Sequence, residues 1–131
     1  MKNFSPQKSF PFILFLSIFF LFSYVSAQTI TIDVAPNVLN LQNNAQIVTV
    51  HTDIAYSAVQ ASSVYLNGIE ISSWKADDRG NFVAKFRMLA VKNLPLVIDD
   101  YNTLTLTGTT TSGETFSGSQ DILVISVIPQ R

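Results

Sequence analysis

Cysteine is missing altogether from these 131 residues. No disulfide can therefore brace the fold, no Cys–His pair can attack a substrate, and no N-terminal lipoprotein anchor can form. Stability has to come from core burial, for which about 100 residues suffice. Positive charge is scarce as well. Residues 28–131 hold nine acids against six bases, a net charge of −3, with no basic stripe. Nucleic-acid binding has no electrostatic support in such a chain. There is one histidine, His51, and no G-x-S-x-G motif, so a Ser–His–Asp hydrolase has no sequence support. The acid pairs Asp77-Asp78 and Asp99-Asp100 sit in loop-like segments, where adjacent carboxylates are solvated turn formers. Glycosidases instead need two carboxylates set about 5–10 Å apart across a cleft. No catalytic residue is assigned, and the chain is expected not to be an enzyme. Internal repeats, low-complexity tracts and helical periodicity are absent too.

What is present begins with the leader. Lys2 and Lys8 precede an uncharged apolar run from Phe10 to Tyr24, and Val25-Ser26-Ala27 follows with small residues. This is the three-part pattern of a signal peptide, with cleavage expected between Ala27 and Gln28. The run is 15 residues long and contains Pro11, Ser17 and Ser23. A spanning helix needs about 20 apolar residues, so the run suits a signal helix better than an anchor. Seven of the ten phenylalanines lie in this leader. No later stretch is long and apolar enough to span. The expectation is a signal peptide over residues 1–27 and one domain over 28–131, secreted or periplasmic, with no membrane span after cleavage.

In that domain the pattern has a period of two. Ile30, Ile32 and Val34 alternate with threonine and aspartate; Val48 and Val50, Phe82 to Met88, and Leu104 and Leu106 behave likewise. Alternation puts one set of side chains in a core and the other in water. Val64-Tyr65-Leu66-Asn67-Gly68-Ile69-Glu70-Ile71 predicts a hairpin on an Asn-Gly turn. Its register sets Leu66 against Ile69 and Val64 against Ile71 on one face, with Tyr65 and Glu70 on the other. Asp77 to Asn81 predicts a second turn, and Ser112-Gly113 a third. A strict two-residue turn at Ser112-Gly113 would leave Phe116 opposite Thr109, so a bulge is expected at Gly108 or Gly118. Ile122 to Ile128 is a continuous apolar run, as in a strand buried on both faces. Thr52 to Ser62 is the one segment that suits a turn or short helix. The threonines at 103, 105, 107, 109 and 111 form a solvated face. About seven strands (29–34, 46–51, 63–67, 69–75, 82–89, 102–110 and 120–128) predict an all-β fold, an antiparallel immunoglobulin-like β-sandwich.

Several spaced motifs then agree in order. They are Ile32-Asp33-Val34-Ala35-Pro36, Asn37-Val38-Leu39-Asn40-Leu41, Thr52-Asp53-Ile54-Ala55, Leu106-Thr107-Gly108 and Phe116-Ser117-Gly118. Together they resemble an immunoglobulin-like accessory module of bacterial secreted and surface proteins. The resemblance covers nearly all of the mature chain and implies an extracellular, non-catalytic accessory module, usually one unit of a larger protein; the function expected of this chain is association with a protein partner at the cell envelope. The loop that often reads D-x-N-G-D-G in such modules is Asp77-Asp78-Arg79-Gly80-Asn81 here. An arginine stands among the would-be ligands, so too few oxygens remain for Ca²⁺, and no metal or other cofactor is expected. The alternative reading is a small-ligand module for carbohydrate or Ca²⁺. Its candidate ligand-binding residues are Tyr65, Trp74, Asp77, Asp78 and Asn81, with Trp74 otherwise expected to cap the core.

Overall fold

The structure, a computed structural model, describes residues 27–129. The expected leader lies outside them apart from Ala27. Ten strands form two sheets: β1 (Ala27–Thr29), β2 (Ile32–Ala35), β3 (Val38–Asn40), β4 (Ile47–Ala55), β5 (Val59–Leu66), β6 (Ile69–Glu70), β7 (Ser73–Ala76), β8 (Asn81–Arg87), β9 (Asp100–Thr110) and β10 (Thr115–Ile125). One sheet runs β2-β4-β8-β7 and is antiparallel throughout. The other runs β1-β10-β9-β5-β6, with β3 also on β10. Both β1 and β3 pair with β10 in parallel, so this second sheet is mixed, where antiparallel pairing was expected throughout.

The alternation decides which faces meet. Along β4, Val48, Val50, Thr52 and Ile54 point inward and are buried, while Thr49, His51 and Asp53 point out. Phe82, Ala84 and Phe86 of β8 are fully buried on the same inner face. Opposite them Val64 and Leu66 (β5), Leu104 and Leu106 (β9) and Ile122 and Val124 (β10) complete one core between the sheets. Thr52 is the polar exception on β4, and its Oγ1 donates to the Phe82 carbonyl at 2.6 Å. A hydroxyl buried with a partner carries little penalty; without one it costs about 1–3 kcal/mol.

The Asn-Gly hairpin forms in the expected register, with Leu66 opposite Ile69 and Tyr65 opposite Glu70. Asn67 takes φ 46° and Gly68 φ 83°, the two positive values such a turn needs. Asn67 also does something its turn role does not require. Its Nδ2 donates to the Thr103 carbonyl at 3.1 Å and its Oδ1 accepts from the Thr105 amide at 2.7 Å. The side chain thus extends the β5 ladder onto β9 past the point where the backbone turns away.

Other expectations are corrected. The 29–34 segment is two strands on different sheets, because the chain leaves β10 after Thr29 and joins β4 from Ile32. It crosses directly over Gly118, where an added Cβ would lie 2.5 Å from the Ile30 carbonyl oxygen. The 69–75 segment likewise splits into β6 on one sheet and β7 on the other. No bulge sits at Gly108 or Gly118. The turn at Ser112-Gly113 holds three residues between the paired Thr110 and Glu114, with Gly113 at φ 95°, so Phe116 meets Gly108 and stays on the leucine face. The irregularity lies across the ladder, in β5 between Gln60 and Tyr65. There the Ser63 hydroxyl accepts from the Thr109 amide at 2.8 Å and donates to the Gln60 carbonyl at 2.6 Å.

The strand expected over 82–89 ends at Arg87. A five-residue helix, α1 (Met88–Lys92), follows it and buries Met88 and Val91. Five residues are too few for a helical period to show in sequence. The expected turn within 52–62 is a single 3-10 turn, Tyr56–Ala58. The Ile122–Ile128 run is not buried on both faces. Ile122 and Val124 are buried, Leu123 and Ile125 half-buried, and Val127 and Ile128 are 54% and 75% exposed.

Candidate functional site

The Asp77–Asn81 turn joins β7 to β8 and is wound around one carboxylate. Asp77 Oδ1 accepts from the Arg79 amide at 2.8 Å and the Asn81 amide at 2.9 Å. The Asp77 carbonyl takes the Gly80 amide at 2.9 Å. The hydrogen bond from Asn81 is the largest cause holding the Asp77 carboxyl below its ordinary pKa; the Arg79 amide and charge and His51 act in the same direction, and desolvation opposes them. This oxygen closes the turn. With Asp78 and Asn81 it borders an open polar depression shared with Asp33, His51 and Asp53. Asp53 is engaged too, its Oδ1 accepting from the Thr31 amide at 2.9 Å. Among the described residues, no group of three His, Cys, Asp or Glu side chains is placed to hold a metal ion.

The five sequence-predicted ligand residues do not converge. Asp77, Asp78 and Asn81 share that depression. Trp74 borders a separate concavity with Ser72 and Ser73. It pairs with the buried Ala84 and so sits on the inner side of its sheet, but on an edge strand, which leaves it 43% exposed. Tyr65 lies on the other sheet's outer face, beside Glu70 and Thr107, 40% exposed.

A feature that sequence reasoning missed stands on that outer face. Leu123 is paired on one side with Val38 of β3 and on the other with Tyr101 of β9. The three side chains form one cross-strand row, with Val38 44% and Tyr101 66% exposed. Val97 and Ile98, just before β9, and Val127 and Ile128, just after β10, are also exposed. Asn40 ties the segment after β10 to β3, its side chain bonding both the amide and the carbonyl of Val127. The rows farther along the face are polar: Thr103 donates to Asp121 at 2.6 Å, and Thr105 pairs with Ser119 at 2.8 Å. The signal for the apolar row was the odd-numbered set of the Ile122–Ile128 run. The partners of Leu123, 22 and 85 residues away, are set by register alone.

No helix among the described residues is long and apolar enough to cross a membrane. Fold and surface together define a two-layer all-β protein with an uneven outer face. Compared with family models, with curated proteins and with solved structures, the chain matches none.

Proposed function

We propose that this chain is a non-catalytic, immunoglobulin-like β-sandwich module that acts outside the cytoplasm by associating with a protein at the cell envelope. The carrying observation is the Val38–Leu123–Tyr101 row. A contiguous apolar strip on the outside of a sheet is a usual mark of an interaction surface, and tyrosine is enriched among residues that dominate interfaces. Strand order supports the immunoglobulin-like part. Counted along the chain, β2-β4-β8-β7 takes the positions A-B-E-D, and β10-β9-β5 takes G-F-C, the two-sheet order of such domains. The basic head, short apolar run and small-residue site of residues 1–27 support export.

The small-ligand alternative has weaker support. Asp77 Oδ1 already accepts two amides, and Trp74 borders a different concavity from the acidic turn.

The test is a photo-cross-linking amino acid at position 101 in cells that express the protein, with the same group at position 49 on the opposite outer face as control. An adduct at 101 that Leu123→Ser abolishes is the expected result. Equal labelling at both positions, or none at either, refutes association through this face. N-terminal sequencing of the purified protein checks export: it starts at Gln28 if the leader is removed.

A further inference from the structure

The sheet β2-β4-β8-β7 has two edges, and they differ. At the β2 edge, Gln120 reaches across from β10 and its Oε1 accepts from the Val34 amide at 2.6 Å. One outward amide of that edge is thus occupied by a side chain of the other sheet. At the other edge stands β7, the last strand of the order. Among the described residues no strand pairs with its far side.

The register shows which groups face outward there. The Asp77 amide bonds the Asn81 carbonyl, and the pairing continues as Lys75 with Val83 and Ser73 with Lys85. Antiparallel strands alternate bonded and non-bonded pairs. The odd residues of β7 therefore bond to β8, and the N–H and C=O of Trp74 and Ala76 point to the free side. All four β7 residues are exposed.

The side chains flanking this edge have two characters. On the outer face Lys75, Lys85 and Arg87 form a band across β7 and β8, on the side opposite the buried Phe82, Ala84 and Phe86. Of the acids on this face, Asp33 and Asp53 lie on β2 and β4, away from the edge, and Asp77 and Asp78 lie in the turn beyond the Ala76 end of β7, whereas the cations run toward its Ser73 end. On the inner side Trp74 stands at the mouth between the sheets, and Ala76 leaves room beside it. A symmetric pairing of β7 with a second copy, centred on Lys75, would set Lys75 against itself and bring both cation bands together. Like charges directly opposed on paired strands are unfavourable.

From this we propose that β7 is a strand-acceptor edge for an extended segment of the partner protein in which Asp or Glu alternates with apolar residues. The segment's backbone bonds Trp74 and Ala76. Its acidic side chains lie over Lys75 and Lys85, and its apolar ones pack beside Trp74 and Ala76. The inference rests on the reading of the chain as an association module but uses a different surface from the Tyr101 row.

Trp74 is the only tryptophan in the chain, so intrinsic fluorescence reports on this edge without a label. The probe is a blocked peptide of about eight residues alternating Glu and Val, with a Lys/Val peptide as its charge-reversed counterpart. The expected result is a saturable shift of Trp74 emission with the Glu/Val peptide and binding about tenfold or more weaker for Lys/Val. Proline is tolerated where an edge-strand amide faces away from its sheet. Ala76→Pro therefore keeps the native circular dichroism spectrum and weakens peptide binding about tenfold or more. Lys75→Glu, which leaves the backbone untouched, reverses the charge preference. Equal binding of both peptides, or unchanged binding by Ala76→Pro, overturns the proposal. So does a concentration-dependent dimer that Ala76→Pro abolishes, because a second copy then occupies the edge. Loss of peptide binding with cross-linking at position 101 intact leaves association standing; the converse removes the Tyr101 face and keeps β7.

Discussion

Gly108 and Phe116 are the sharpest single test of the register between β9 and β10. They sit opposite each other, and Phe116 is 2% exposed. A Cβ built on Gly108 would lie 2.4 Å from Phe116 Cζ, 2.8 Å from Cε2 and 3.1 Å from Cε1. The ring occupies the space that a side chain at 108 would need. Gly108→Ala forces the ring to tilt or the strands to separate, and overpacking of this kind costs about 2–3 kcal/mol. In a domain of this size that lowers Tm by about 10–15 °C. Shortening the aromatic removes the clash. Phe116→Leu alone costs about 1–2 kcal/mol as a cavity, but its side chain stops short of the Cζ position. In that background Gly108→Ala becomes neutral, or stabilising by about 0.5 kcal/mol, because alanine loses less backbone entropy than glycine. The double-mutant cycle therefore gives a coupling of about 2–3 kcal/mol. Urea unfolding of the four proteins measures it. A Gly108→Ala protein as stable as the wild type, or strictly additive changes, would show that the two residues do not face each other.

Further outcomes are expected elsewhere. Gly118→Ala places its Cβ 2.5 Å from the Ile30 carbonyl oxygen; backbone cannot yield as a ring can, so the loss is about 3 kcal/mol, with no rescue by Ile32→Val, readable by thermal melting. Ser63→Ala removes the hydroxyl that completes the β5 irregularity and costs about 1–2 kcal/mol by urea unfolding. The Asp77 carboxyl lies below its ordinary value of 3.8, so the unfolded chain takes up the proton first as pH falls. Its contribution to stability is full above pH 3.8 and is lost as pH falls through the lower folded value. Asp77→Asn keeps an acceptor oxygen in the turn and flattens that part of the acid-unfolding curve, and an unchanged curve refutes it. Tyr101→Ser leaves the unfolding midpoint within about 0.5 kcal/mol of wild type while removing the cross-link at the β3–β10–β9 face.

The period-two pattern, the Asn-Gly hairpin with its register, the Asp77–Asn81 turn and the inward sets of β4, β8 and β9 are properties of the sequence itself. Each depends on contacts between near neighbours or on which face of a pleat a residue occupies, and local chemistry decides both. The close approaches at Gly108 and Gly118, the hydroxyl of Ser63 standing in a ladder, and the crossing of the first strand between sheets depend on what lies across a gap. A three-residue turn in place of two shifted the register enough to seat Phe116 over Gly108, and no local signal distinguished the two lengths. The same applies to the surface. The separation of Trp74 and Tyr65 from the acidic turn, the union of Val38, Leu123 and Tyr101, and the open side of β7 follow from strand order. Only packing two layers together selects that order, because residues far apart in the chain become neighbours there through backbone hydrogen bonds that any sequence could make.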